Sequence, residues 1–332
     1  MEEIMAQVSD KPKFVTKGEI KVPPLRDLTD LREGIAPGHR LCTGCVAGII
    51  LRQMFMAAEA AGYTLIIANA TGCVEVCTSI YPHTSWKVPW IHNAFENAAA
   101  TISGVEAAYK SLKRKGMVPS DKKVKFVALG GDGGTYDIGF QSLSGAMERG
   151  HDFIYVCYDN EAYMNTGIQR SSATPRHAST TTQPAGKVMA GKPQPKKWMP
   201  EIAAAHGIPY VAQAAPSHFN DFMRKFMKAL NTKGPSYLNV FCTCPRGWRA
   251  KEEEGILISK LAVETNYWPL FEVEDGKWKI NYKPKERKPI EEFLKKQGRF
   301  KHMFKPGNEY LIRELQEDVD KRWERLLKLE QL

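Results

Sequence analysis

The chain has 332 residues, 43% apolar and 25% charged, an ordinary globular balance that excludes disordered and collagen-like classes. With 47 Lys and Arg against 37 Asp and Glu the net charge is +10, which suits nucleic acid, a phosphate-bearing cofactor or an acidic partner equally. No run approaches the roughly 18 uninterrupted apolar residues of a membrane span, and no nucleic-acid motif appears. The acidic start MEEIMAQVSD is unlike a secretory signal, and the seven cysteines cluster instead of spacing out as a disulfide framework. A cytoplasmic protein without membrane or nucleic-acid partners is expected.

Residues 1–36 are polar and punctuated by Pro12, Pro23 and Pro24, and read as an arm that lies on something else. Val46–Ala61 has helical composition and stops at Gly62; Leu65–Ala70 is a short buried strand ending in Thr71-Gly72; 95–112 is an Ala-rich helix. Then come a strand at 124–129, a GGDGG loop, a helix at 138–149 and a strand at 153–158. That succession within about 35 residues argues for an α/β fold, a parallel sheet with helices on both faces.

Further on, 200–205 starts a helix, 209–214 is a strand, 219–230 a helix and 236–243 the last core strand. The stretch 162–200 has five prolines, six Lys or Arg and no acidic residue, which marks it as a functional or partner-binding loop. Beyond Glu264 the chain is charged, and Leu311, Leu315, Val319, Trp323 and Leu327 form the apolar stripe of a final helix. The expected division is an arm at 1–36, an α/β domain at 37–265 with the irregular loop 162–200, and an extension at 266–332.

Two constellations carry chemistry. In GGDGGTYDIGF the third position of a dinucleotide fingerprint falls on Tyr136, so that motif fails. Instead, Asp132 follows one strand and Asn160 the next, and a βαβ crossover returns both loops to the same sheet edge. A carboxylate, an amide oxygen and a nearby backbone carbonyl are hard ligands suited to Mg²⁺ carrying a diphosphate. Gly131, Gly133 and Gly134 let backbone N–H groups approach the phosphates. The bland alternative is a tight glycine turn with an incidental Asp.

The second constellation is Cys42-x-x-Cys45, Cys73 in NATGC and Cys244 in CTCPRGW. Four thiolates suit structural zinc or an iron–sulfur cluster, and spacing alone leaves both open, including a zinc-stabilised basic binding module. Cys157 reads as a core residue. Cys242, two before Cys244, would share a strand face with it, which makes it a near neighbour of any metal and an alternative ligand. Cys77, four residues after Cys73, could replace it as a ligand.

GGDGGTYDIGFQSLSGAMERG and YDNEAYMNTGIQRSSATP resemble the β subunit of 2-oxoacid:ferredoxin oxidoreductases, the pyruvate-oxidising group in particular, and the resemblance runs from about Gly38 through the segment IEEFLKKQGRFKHMF. It implies a thiamine diphosphate-binding fold in which Asp132, Asn160 and the carbonyl of Ala162 ligate Mg²⁺. Asn165 and Thr166 would lie near the thiazolium ring and substrate, and Cys42, Cys45, Cys73 and Cys244 would hold a [4Fe–4S] cluster. The implied reaction is oxidative decarboxylation of a 2-oxoacid to acyl-CoA and CO₂. Pyruvate is the favoured substrate; branched-chain 2-oxoacids, phenylglyoxylate and oxalate are the alternatives. The implied partners are an α subunit that supplies the aminopyrimidine glutamate and much of the pocket, γ and ferredoxin-like δ subunits, coenzyme A and ferredoxin.

Two departures from the family pattern leave the substrate open: Val46-Ala47 after Cys45, and Arg176-His177 after SSATP. His83, Trp86, Trp90, His92 and Glu96 lie in a segment that also matches the family, with buried packing favoured for the tryptophans. His39 is expected near the cluster or as a structural residue at a helix entry.

Overall fold

The computed structural model describes residues 15–16, 19–119 and 121–332; most of the first half of the expected arm lies outside them. Strands β1 (Val15–Thr16) and β2 (Glu19–Ile20) form a small antiparallel ribbon, and a short helix α1 follows (Leu25–Leu28). The main sheet has eight strands: β3 (Thr64–Ala70), β4 (Trp90–Asn93), β5 (Val124–Gly131), β6 (Phe153–Asp159), β7 (Tyr210–Ala214), β8 (Ser236–Phe241), β9 (Phe271–Glu274) and β10 (Lys277–Ile280). Their order is β10-β9-β7-β8-β6-β5-β3-β4. From β4 to β7 every pairing is parallel, while β9 joins β7, and β10 joins β9, antiparallel. The expected strands are therefore present, with β4 and the β9–β10 hairpin added.

The central strands read as nearly continuous apolar runs because both faces are covered. On one side Val127, Leu129, Ile154, Val156 and Leu238 pack under α2 (Ala47–Ala60) and a later helix at Phe219–Asn231. On the other, the alternate residues Phe126, Ala128, Phe153, Tyr155 and Tyr237 face helices at Ala98–Arg114, Phe140–Glu148 and Met199–Ala204. A third apolar cluster gathers Trp248, Trp268, Phe293, Phe300 and the buried stripe of the last helix, Glu309–Leu329. Leu311, Leu315 and Val319 are buried against this chain itself, whereas Trp323 and Leu327 are half-buried.

The basic loop differs from what its charge suggests. Arg176 pairs with Asp318 at 2.7 Å, Lys192 donates to the carbonyls of Ser172, Thr174 and Pro195, Lys196 is buried between two carboxylates, and Lys197 donates to the Tyr136 carbonyl. These cations are satisfied within the chain. Part of the physical reason is that 162–198 has little regular secondary structure, so the Lys192 side chain serves loop carbonyls that no strand or helix pairs. No described helix is long and apolar enough to cross a membrane.

Candidate active site

Because β3, β5 and β6 are parallel neighbours, the three loops that follow them open at one carboxyl edge. There they line a narrow cleft open to solvent. Its wall contains Thr71, Gly72 and Cys73 after β3, Gly131, Gly133 and Gly134 at the end of β5, and Asn160, Ala162, Asn165 and Thr166 after β6. The two constellations thus meet: Cys73 faces the same space as the glycine loop. Phe95, Tyr158, Tyr163 and Met164 complete the lining and were not singled out by the sequence; only the aromatic Tyr158 and Tyr163, next to Asn160, carried a signal.

Local geometry explains the residue types. A Cβ on Gly133 would stand 2.3 Å from the Tyr163 ring, so the loop passes the ring only as glycine. Gly44, between Cys42 and Cys45, has φ +73° and would drive a Cβ to 2.1 Å from the Glu252 carbonyl oxygen.

Asp132 is fully buried. Ser171 donates to its Oδ2 at 2.5 Å and the Asn160 backbone N–H reaches its Oδ1 at 3.3 Å. Burial, reinforced by the nearby Asp159 charge, holds its carboxyl well above the usual carboxylate range. Such a carboxylate is short of positive charge. The Asn160 side chain presents one terminal atom to both Asp132 Oδ1, at 2.8 Å, and the Ala162 carbonyl oxygen, at 2.9 Å. With the amide nitrogen at that place, the group donates to both. With the oxygen there, it stands from each of the other two oxygens at close to the spacing of adjacent corners of a Mg²⁺ octahedron, about 3 Å for ligand distances of about 2.1 Å. The donor set fits a hard cation. Asn165 and Thr166 are exposed at the mouth, where Thr166 donates to Gln169 Oε1.

Among the described residues, no three His, Cys, Asp or Glu side chains gather tightly enough for a single metal ion. The thiols are nonetheless neighbours. Burial and the charges of Cys244, Cys45, Cys77 and Cys42 push the Cys73 thiol up, and burial raises Cys244 to about 11. A cubane places iron and sulfide between its four thiolates, so its ligands stand farther apart than those of one zinc ion. Cys45 sits at the start of α2; a hydrogen bond from Cys242 lowers it against the cost of burial, with help from the Ala47 and Gly48 N–H groups.

Strand β8 ends at Phe241, so Cys242 and Cys244 do not share a regular strand face. Cys242 is buried beside Cys45, while Cys244 is half-exposed and accepts from the Gly247 N–H at 3.3 Å. Cys73 and Cys77 occupy successive turns of helix α3 (Cys73–Thr78), which the sequence reading missed; Cys73 opens on the cleft and Cys77 on a separate hollow with Arg40 and His83. Cys157 is fully buried in β6. Trp86 and Trp90 stack at 5.7 Å, and Trp86 Nε1 donates to Thr78, so they pack beneath α3. His92 reaches the Thr71 hydroxyl at 2.8 Å, at the cleft rim. Val46 and Ala47 are buried. Arg176 and His177 bind Asp318 and Glu314 of the last helix and do not line the cleft.

Residues 70–240 match the family described as thiamine pyrophosphate enzyme, C-terminal TPP binding domain. The chain is 56% identical to the pyruvate synthase subunit PorB of Thermotoga maritima, over 94% of this chain and 97% of that one. It is 59% identical to the PorB of Methanocaldococcus jannaschii, over 82% and 90% respectively. The chain belongs to the PorB family of 2-oxoacid:ferredoxin oxidoreductase subunits. It carries the thiamine diphosphate-binding domain of that family and is one subunit of a multi-subunit enzyme. The family also has a branched-chain relative: the ketoisovalerate oxidoreductase subunit VorB of Pyrococcus abyssi is 47% identical over 90% of this chain and 93% of that one. A solved 2-oxoglutarate:ferredoxin oxidoreductase from Magnetococcus marinus shares the fold, with TM-score 0.52 and 20% identity over 70% of this chain and 80% of that one.

Proposed function

We propose that this PorB-family chain binds Mg²⁺–thiamine diphosphate in the cleft and a [4Fe–4S] cluster in its wall, and oxidises pyruvate to acetyl-CoA and CO₂ within a hetero-oligomer. One observation carries the reading: Cys73 lines the same cleft as Gly131, Gly133, Gly134, Asn160 and Ala162, so an electron acceptor held there would adjoin the cofactor. Asp132, Asn160 and the Ala162 carbonyl would hold Mg²⁺, while the backbone N–H groups of the glycine loop approach the diphosphate. When bound, thiamine diphosphate supplies the carbanion and the electron sink for loss of CO₂. Asn165 and Thr166, at the mouth, orient the substrate carboxylate and carbonyl by hydrogen bonding. Cys42, Cys45, Cys73 and Cys244 would hold the cluster, whose chemistry is one-electron transfer.

In this reading an α subunit closes the cleft and provides the aminopyrimidine glutamate, γ and ferredoxin-like δ subunits pass electrons to ferredoxin, and coenzyme A takes the acyl group. The division at residues 36 and 265 belongs to the same proposal as a boundary of function and not of the sheet, which β9 and β10 complete from beyond residue 265. The 47% identity to a ketoisovalerate oxidoreductase subunit favours a branched-chain 2-oxoacid as the second reading. An anaerobic assay of the assembled complex decides, with coenzyme A, ferredoxin and a panel of pyruvate, branched-chain 2-oxoacids, phenylglyoxylate and oxalate. Pyruvate should give the highest kcat/KM; a higher value on another 2-oxoacid overturns the substrate.

A further inference from the structure

The segment Asp159–Ala162 alternates. Asn160 and Ala162 line the cleft, whereas Asp159 and Glu161, both fully buried, point into the protein behind it. Glu161 has φ +68°, a left-handed backbone that a non-glycine residue keeps only when its surroundings hold it. Two cations answer the two carboxylates. Lys196 Nζ sits 2.7 Å from Asp159 Oδ2 and 3.0 Å from Glu161 Oε1, and Arg299 Nη2 donates to Glu161 Oε2 at 2.5 Å. Tyr267 donates to Glu161 Oε1 at 2.6 Å. Arg299 is anchored in turn by Gln297 Oε1, at 2.9 and 2.7 Å, and its guanidinium lies 3.9 Å from the centroid of the Trp248 ring. Trp248 Nε1 then donates to the Asn160 carbonyl at 2.8 Å.

Arg299 therefore grips the segment at two points, through Glu161 directly and through Trp248 to Asn160. We propose that Arg299, far along the chain from the cofactor motif, is a positioning residue that sets the angle at which Asn160 and the Ala162 carbonyl meet the cation. This rests on the Mg²⁺ site proposed above. A planar guanidinium suits the task because it bonds in its own plane and stacks by its face at once, which a lysine ammonium cannot do. Partners one shell behind a metal ligand govern affinity by orienting it.

The assembled complex, stripped of thiamine diphosphate, tests this by calorimetric titration with thiamine diphosphate in MgCl₂ and separately in CaCl₂. Mg²⁺ demands near-ideal octahedral geometry, while Ca²⁺ tolerates displaced ligands. Arg299→Gln should weaken Mg²⁺-supported binding by about tenfold or more and Ca²⁺-supported binding much less, with iron content unchanged. An unchanged Mg²⁺ affinity, or an equal loss with both ions, overturns the proposal. If Arg299→Gln does not assemble, Arg299→Lys keeps the charge and loses the fork and the stack, and the same comparison applies to it. Asp132→Ala separates the two claims. If it leaves Mg²⁺-supported binding intact, the cation site itself is wrong; if it abolishes that binding while Arg299→Lys changes nothing, only the positioning role falls.

Discussion

Asp132→Asn should separate stability from cofactor binding. The carboxylate is fully buried, near Asp159, and its Oδ1 faces the Asn160 side chain at 2.8 Å. An isosteric amide keeps an oxygen for Ser171 and turns a donor toward Asn160, so it removes an acid whose ionised form burial and Asp159 disfavour, at the loss of one long contact from the Asn160 N–H. Relieving such a group is worth about 1–3 kcal/mol, or about 2–6 °C in Tm at roughly 2 °C per kcal/mol for a large chain. The unligated variant should melt higher than the wild type by that amount. Saturating Mg²⁺–thiamine diphosphate at about 100 times Kd should add about 2.7 kcal/mol to the wild type and nothing to the variant, because the only carboxylate among the proposed ligands is gone. Scanning fluorimetry of the purified full-length chain, with and without ligand, reads both effects. An unligated variant that melts lower, or one that keeps the wild-type ligand shift, refutes the reasoning.

Cys42→Ser, Cys45→Ser, Cys73→Ser and Cys244→Ser should each lower iron content and block electron transfer, since serine holds iron poorly, while Cys77→Ser and Cys242→Ser keep iron; iron analysis with visible absorption checks this, and the reverse pattern at 73 and 77 moves the ligand by one turn of α3. Cys157→Ser should keep iron and cost about 1–3 kcal/mol for burying a hydroxyl, read by thermal melting. Arg176→Ala breaks the pair to Asp318 on the last helix and should lower Tm slightly without changing the ratio of kcat/KM for pyruvate over branched-chain 2-oxoacids. Burial, with the Arg170 and Lys196 charges, pulls Lys192 down to about 7, against about 10.4 in an unfolded chain. Between those values the unfolded state binds more protons, so stability rises with pH and this contribution is lost as pH falls toward 7; Lys192→Met should flatten that slope in melts from pH 7 to 10.

Much of the site was legible because its chemistry is local. Asp132 and Asn160 each follow an apolar strand, so a parallel sheet had to bring them to one edge, and β5 and β6 do so in register. Strand β4 was not legible: its four residues pair with β3 alone, two of them exposed, and four residues show no period. Helix α3 was hidden for a similar reason. Its six residues mix cysteine, valine, glutamate and threonine, too short a run for a helical stripe to emerge.

Arg299 was beyond reach from sequence because nothing local distinguishes it. GRFKHMF carries two other basic residues, all three on one 3-10 helix (Gly298–Phe304), and only the fold shows that Arg299 is buried while Lys301 is exposed and His302 half-buried. What selects it is the pairing behind the cleft. Two buried carboxylates flank the proposed metal ligand Asn160, and the charge there closes only when Lys196 and Arg299 are both counted. A buried carboxylate stripped of its partner is far more costly than the pair is stabilising. The loop 162–200 and the extension beyond 265 therefore have a physical stake in the cofactor loop, although neither residue lines the cleft. Each contributes one cation from a distant part of the chain, and the alternation of side chains through Asp159–Ala162 is what converts that burial into the orientation of the ligands in front.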